Sequence, residues 1–175
     1  MSAILHRLAQ GFRALLAFAA SPDLGMAQRY LTQREYAAFK RMSRAEQLHS
    51  LNVLRSVLQA EPNAPAALAA AALLHDVGKS RYHLAVWQKT LAVLLLQLAP
   101  RLSHRLSQSE SLNRWRAPFA VQRNHPKWSA EILDDCGSDA GLIWLAENHH
   151  EDAKLYLDHD HYALLIALQA ADSSC

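Results

Sequence analysis

An apolar run, "AALAAAALL" from Ala66 to Leu74, constrains this 175-residue chain most, because it leads directly into His75 and Asp76. Alanine and leucine favour helix, and the proline just before the run is typical of a first helical turn. The run therefore predicts an alanine-rich helix that is capped by Asn63 and stopped by Gly78 in the left-handed conformation. The His-Asp pair at its end is either a polar terminus satisfied by water or half of a metal site.

Helical spacing of apolar residues recurs through the rest of the chain, and no segment shows the convincing alternation of a half-buried strand. Ser43 and Glu46 form an S-x-x-E capping box, which marks a helix start. The other predicted helices begin near Ile4, after Thr32, near Leu84, at Pro126 (with a stop at Gly137), behind Ser138 or Asp139, and behind Asp158 or Asp160. The "SPDLG" segment, 21–25, is predicted to be a turn after the first helix. We therefore predict an all-α fold, a single helical bundle.

Composition excludes several classes of protein. The chain has two cysteines, Cys136 and Cys175, without CxxC spacing, which argues against a disulfide scaffold or thiolate zinc site and fits a reducing, cytoplasmic location. The net charge of +2 is too small to indicate a stable nucleic-acid complex. The most apolar run, from Leu91 to Ala99, is too short to span a bilayer, and the N-terminal segment predicts a packed amphipathic helix rather than a signal peptide.

Residues of the kinds that bind metals occur near the ends or on the apolar faces of several predicted helices. His49 lies in line with Val53 and Val57 at helical spacing, and Asp172 lies four residues after Leu168. Burying carboxylates and imidazoles is costly unless they are paired or bound to metal, so a converging set predicts a metal site. The candidates are His49, His75, Asp76, His125, His149, His150 and Asp172.

The order of these residues resembles the HD-domain superfamily of metal-dependent phosphohydrolases. "HDVGK", 75–79, is similar to the HD-[IV]-G-K form of the family motif, with His49 before it and Asp172 after it. His125 with "PKWSAEIL", and then "ENHHE", resemble the extra histidines of the HD-GYP-like branch, where two or three metals bind. The letters GYP are absent after "HHE", which argues against hydrolysis of a cyclic dinucleotide. The resemblance covers about Arg44 to Ser174.

This resemblance implies an HD-domain-like bundle at 43–175, with N-terminal helices from 1–42 packed on it. It also implies one or two divalent ions, and imidazole and carboxylate ligands favour iron, manganese or zinc over calcium or magnesium. Asp76 or Asp172 would bridge two ions, and a hydroxide held between them would attack phosphorus in line. The predicted catalytic residues are Asp76 and Lys79, and the substrate is a phosphorylated small molecule such as a nucleotide.

Other interpretations of single residues stay open. Lys79 either holds a phosphate oxygen or is a cation favoured at a helix C-terminus. His125 is either a ligand or a histidine at a helix start. Neighbours on a helix point about 100° apart, so one of His149 and His150 is the expected ligand and the other a supporting or surface residue. The "DHDH" segment, 158–161, is interpreted as a helix cap beside a solvated loop.

Two other functions compete with phosphate-ester hydrolysis. Some HD-fold proteins that resemble this chain at the same histidines and aspartates hold two irons and are oxygenases. Others are non-catalytic signalling modules, which usually lack ligand residues. Lys79 and the basic segment containing Arg114 and Arg116 favour a phosphate substrate. The sequence carries no signal for an oligomeric state.

Overall fold

The computed structural model describes residues 21–82 and 117–175, and every regular element in these two ranges is helical. Two short 3-10 helices, Val77–Arg81 and Ala153–Tyr156, accompany the α-helices. The α-helices are α1 Leu24–Tyr30, α2 Gln33–Arg41, α3 Arg44–Ala60, α4 Ala66–Leu74, α5 Ala117–Cys136, α6 Ala140–Asn148 and α7 Tyr162–Ser174. The predicted all-α class is confirmed, while the predicted helices near residues 4 and 84 and the basic segment at 101–116 lie outside the described residues.

Most helix boundaries follow the local signals of the sequence. Thr32 and Ser43 begin α2 and α3, and both complete a capping box with the glutamate three residues later. Asp139 caps α6 by accepting hydrogen bonds from two backbone N–H groups of the first turn. Gly137 ends α5 with a φ of 71°, the left-handed conformation that glycine adopts without steric cost. These four predictions are confirmed.

Three local predictions are wrong. Pro65, not Asn63, holds the N-cap position of α4, and no side chain within the described ranges caps that helix. His161 holds the N-cap position of α7, and its side chain makes no capping hydrogen bond. Neither Asp158 nor Asp160 is therefore the cap of that helix. The "SPDLG" segment, expected to be a turn, begins α1, because the carboxylate of Asp23 accepts a hydrogen bond from a first-turn N–H group.

Helix α4 lies at the centre of the bundle. It is apolar on every face, and its residues from Leu68 to Leu74 are buried. Helices α1, α2, α3, α6 and α7 all contact it. Its C-terminal end, where His75 and Asp76 follow, is therefore held inside the bundle rather than in solvent, and those two residues are 1% and 4% exposed.

Helix α5 differs from the prediction that it starts at Pro126. It runs from Ala117 to Cys136 with Pro126 in its interior, packs along the 3-10 helix Val77–Arg81 and contacts α6. Helices α1 and α2 pack on the bundle through α4 and α5, while the proposed division between 1–42 and 43–175 stays a prediction. Within the described ranges, no helix has the length and apolar character needed to cross a membrane.

Candidate metal centre

The seven candidate ligands come together from five helices at the end of α4. His75 and Asp76 follow α4, His49 lies on α3, and His125 lies on α5. The remaining candidates, His149, His150 and Asp172, come from the end of α6 and from α7. The contacts that join the cluster are His49 Nε2 to Asp172 Oδ1 at 2.9 Å, His75 Nε2 to Asp172 Oδ1 at 3.7 Å, His75 Nε2 to Asp76 Oδ2 at 3.6 Å, and His125 and His149 Nε2 to Asp76 Oδ1 at 3.2 and 3.8 Å.

Three buried imidazoles place Nδ1 within hydrogen-bonding distance of a carbonyl oxygen about one helical turn earlier. The pairs are His75 with Ala71 at 3.3 Å, His125 with Gln122 at 2.9 Å, and His149 with Ala146 at 2.8 Å. A carbonyl oxygen only accepts hydrogen bonds, so Nδ1 must be the protonated nitrogen in each neutral ring. Each Nε2 therefore carries a lone pair, and the backbone bond fixes its direction as it does in metal-binding histidines.

Four buried atoms in the cluster have no hydrogen-bond partner within the described residues: Nε2 of His75, His125 and His149, and Oδ1 of Asp76. Because Nε2 of His125 carries a lone pair, its 3.2 Å contact with Asp76 Oδ1 joins two acceptors rather than a donor and an acceptor. Unpaired buried polar atoms are costly, and a cation between them removes that cost. The nitrogen-rich donor set with a carboxylate suits a transition metal.

Six of the seven candidate ligands form two groups, each with three ligand atoms within 4.8 Å of one another, and Asp172 belongs to neither group. One group is His49, His75 and Asp76, and the other is His125, His149 and His150. Asp76 lies between the groups, because its Oδ1 faces His125 and His149 while its Oδ2 is the oxygen nearer His75. Each group could hold a metal ion, and the Asp76 carboxylate faces both groups.

Electrostatics favour the protonation states that metal binding requires. Burial alone would raise the pKa of the Asp76 carboxyl, but His75, Lys79 and His125 together outweigh it and hold that pKa well below its ordinary value. Burial lowers the pKa of the His75 and His149 imidazoles. Burial, with a smaller contribution from His125, lowers the pKa of His150 to about 4. An anionic carboxylate and neutral imidazoles are the forms that bind metal.

The open side of the cluster is formed by His49, Asp172 and Lys79, whose side chains are 32%, 30% and 24% exposed. His49 donates from Nε2 to Asp172, and this bond lowers the pKa of the Asp172 carboxyl against the opposing effect of burial. Lys79 donates from Nζ to Asp76 Oδ2 at 2.7 Å. Lys79 is thus part of the cluster, with its ammonium group between the carboxylate and solvent.

Both histidines at the end of α6 approach the cluster, although only one was expected to be a ligand. His149 is buried, and its ring centroid lies 5.0 Å from that of His75. His150 is more exposed, yet its ring centroid lies 4.8 Å from that of His125. His149 follows the end of α6, so the two neighbouring side chains are not held to the divergence expected within a regular helix.

Gly78 does not stop α4 in the left-handed conformation, and that prediction is wrong. The described residues with positive φ include only Gly137, and Gly78 lies inside the 3-10 helix Val77–Arg81. Gly78 instead lets the backbones of the 3-10 helix and α5 lie in contact. A Cβ at Gly78 would collide with the carbonyl oxygen of His125 and lie 2.7 Å from the backbone nitrogen of Ser129. Only glycine lets the 3-10 helix lie directly on α5.

Ser129 is the positioning residue that the sequence interpretation missed. Its hydroxyl accepts from the backbone N–H of Gly78 at 2.8 Å and donates to the carbonyl oxygen of His75 at 2.7 Å. It thereby ties the segment that carries the His-Asp pair to the helix that carries His125. The sequence does contain a sign of this role. Ser129 lies four residues after His125, which places the two side chains on the same face of a helix.

We expect Ser129→Ala to lower the free energy of unfolding by about 1–3 kcal/mol, because it leaves the buried Gly78 N–H and His75 carbonyl without their partner. Urea denaturation followed by circular dichroism measures this change. Ser50→Ala is the matched control: Ser50 is equally buried, and its hydroxyl has no partner within the described ranges. The control should be neutral or stabilising, and equal losses in the two variants would contradict the bridging role.

The "DHDH" segment lies apart from this cluster. The His159 ring stacks on Trp144 with centroids 3.9 Å apart, and His159 Nδ1 accepts from the backbone N–H of His161. Asp158, His159 and Asp160 are exposed. Among the described residues, the ligand atoms of this segment belong to neither of the three-donor groups. The prediction of a solvated loop agrees with this exposure.

Comparison with known proteins gave one match. A family model described as HD domain matches residues 47–173. The match contains all seven candidate ligands and begins after α2, within α3. The searches of curated proteins and of solved structures returned no match.

Proposed function

Because the chain belongs to the HD-domain family, whose members are generally metal-dependent hydrolases, we propose that it is a metal-dependent phosphohydrolase. Its substrate is a phosphate ester of a small molecule, such as a nucleotide. HD domains bind divalent metals, and the described residues contain two histidine-rich groups with the donors for such ions. We assign the ligands to His49, His75, Asp76, His125, His149, His150 and Asp172.

The observation that carries this proposal is the position of the Asp76 carboxylate. Its two oxygens face different groups of imidazoles, with Oδ1 3.2 Å from His125 Nε2 and Oδ2 3.6 Å from His75 Nε2. A carboxylate placed in this way would be a ligand for an ion held by either group. Two adjacent ions supply a clamp on phosphate oxygens and activate water for an in-line displacement.

The chain's own residues contribute binding and orientation. The backbone bonds at Nδ1 keep the rings of His75, His125 and His149 directed at the centre. Lys79 orients the Asp76 carboxylate and places a positive charge on the open side of the cluster. There it offers a donor for a phosphate oxygen of the substrate, which is the role that we assign to it.

A second candidate function rests on the same histidine-rich donor set. Imidazole and carboxylate ligands together also suit iron, and a pair of irons would support oxygenase chemistry. Lys79 favours the hydrolase, because a cation beside the open side of the cluster attracts an anionic phosphate. The two functions differ in their need for oxygen, and that difference allows a direct test.

The test begins with metal analysis of anaerobically purified protein by mass spectrometry. A panel of nucleotides and aryl phosphates is then assayed for release of the phosphate group with and without oxygen. We expect metal-dependent cleavage at the same rate under both conditions, and its loss in Asp76→Ala. Oxygen-dependent consumption of a substrate without phosphate would contradict the proposed hydrolase function and support the oxygenase function.

A further inference from the structure

A proline stands directly after a candidate ligand in the middle of a long helix. Pro126 lies inside α5, with nine described residues before it and ten after it in Ala117–Cys136. Proline has no backbone N–H, so it cannot donate to the carbonyl oxygen four residues earlier. That oxygen belongs to Gln122, which is thereby freed of its usual helical donor.

The imidazole of His125 takes the place of that donor. Its Nδ1 lies 2.9 Å from the Gln122 carbonyl oxygen and 3.1 Å from the Val121 carbonyl oxygen. The Val121 oxygen is the normal helical acceptor for the backbone N–H of His125. The Gln122 oxygen is therefore the acceptor that the proline makes available to the ring.

His149 gives a comparison in which a histidine ring bonds a carbonyl oxygen at a helix end. His149 follows the end of α6, and its Nδ1 donates to the Ala146 carbonyl oxygen at 2.8 Å. The last carbonyl groups of any helix lack intrahelical donors, so a helix end offers such acceptors freely. His125 lies mid-helix, where carbonyl groups are already bonded to backbone N–H groups.

We propose that Pro126 is a positioning residue for the metal centre. By freeing the Gln122 carbonyl oxygen it holds His125 in the Nδ1-protonated form and directs the lone pair of Nε2 toward Asp76, 3.2 Å away. The proline thus gives His125, inside a helix, a free carbonyl oxygen of the kind that His149 finds at a helix end. The inference rests on the proposed function only in that His125 serves as a metal ligand.

Pro126→Ala tests this proposal, because the alanine N–H restores the competing helical donor to Gln122. The direct measurement is the nitrogen-15 spectrum of the histidine rings in metal-free protein, at a pH well above the ordinary imidazole pKa of about 6.5. We expect His125 to be almost wholly Nδ1-protonated in the wild type and to gain a substantial Nε2-protonated population in the variant. An unchanged tautomer in Pro126→Ala would overturn the proposal.

The second measurement is affinity for zinc or manganese by competition with a chelator. We expect a loss of about tenfold, the lower end of the range for removing a partner behind a metal ligand. The thermal midpoint should be maintained or raised, because alanine restores a helical hydrogen bond. If Pro126 affected only the shape of α5, its replacement would leave the metal affinity unchanged. That result would also overturn the proposal.

Pro118→Ala is the matched control, since it makes the same change on α5 about two turns before His125. It should leave the His125 tautomer as in the wild type, and a tautomer shift of equal size in this control would count against the specific role of Pro126. The tautomer is read without metal or substrate. A wild-type protein that binds metal but cleaves no phosphate ester would therefore refute the proposed function while leaving the assignment of Pro126 intact.

Discussion

Asp76→Ala is expected to abolish metal binding while the helical bundle remains folded. The carboxylate faces the imidazoles of His75, His125 and His149 and the ammonium group of Lys79. Among the described residues, Asp76 supplies the only buried carboxylate of the cluster. Its removal leaves neutral imidazoles beside a cation, which repels a metal ion. We expect affinity to fall by more than about 100-fold, beyond the range for residues that only support a ligand.

The fold should survive because the Asp76 side chain contacts site residues rather than the apolar core. Its backbone carbonyl still accepts from the N–H of Lys79 in the variant. The Lys79 side chain is 24% exposed and can turn to water once its partner is gone. Far-ultraviolet circular dichroism should therefore match the wild type, with mass spectrometry showing the loss of metal.

Asp160→Ala provides the control for this substitution. Asp160 is an exposed carboxylate of the "DHDH" segment, which lies apart from the cluster. The variant should retain the metal content of the wild type. Unchanged metal content in Asp76→Ala would show that the ion binds elsewhere, and metal loss in Asp160→Ala would point to the loop instead.

Much of the candidate site was predictable because each of its residues has a local signature. His49 and Asp172 share an apolar helix face with core residues, and His75 and Asp76 close a helix that is apolar on every face. Periodicity directs such residues toward the bundle, where His75 and Asp76 are buried while the side chains of His49 and Asp172 stay 32% and 30% exposed. The prediction that they converge needs only that the helices share one core.

The exceptions arose at a glycine and a proline, two residue types that can serve more than one role. A glycine after a helix predicts a left-handed stop, yet Gly78 serves the contact between the 3-10 helix and Ser129, 51 residues later. A proline ordinarily predicts a helix start, yet Pro126 lies within α5, and the ring of His125 lies 2.9 Å from the Gln122 carbonyl oxygen that the proline cannot bond. The contact of Gly78 with Ser129 is tertiary and has no local signal, and a proline alone does not distinguish the start of a helix from its interior, so both residues led to the wrong boundary.

Gly78→Ala is expected to destabilise the protein by about 3 kcal/mol, the upper part of the range for overpacking. The added Cβ would collide with the carbonyl oxygen of His125 and lie 2.7 Å from the backbone nitrogen of Ser129. Backbone atoms cannot turn aside as the end of a flexible side chain does, so the 3-10 helix must move away from α5. Since the two segments carry Asp76 and His125, metal affinity should fall together with stability.

Gly25→Ala is the matched control, because it makes the same change inside a helix without a close contact. The nearest described atom to a Cβ at Gly25 is an Asp23 carboxylate oxygen at 3.5 Å, an ordinary contact distance. Gly25 is the second residue of α1, and alanine there should stabilise the protein slightly, by less than about 1 kcal/mol, because glycine loses more backbone freedom on folding. Urea denaturation of both variants should therefore give changes of opposite sign. A Gly78→Ala protein as stable as the wild type would mean that α5 and the 3-10 helix can separate freely, and His125 would then lose its fixed position relative to Asp76.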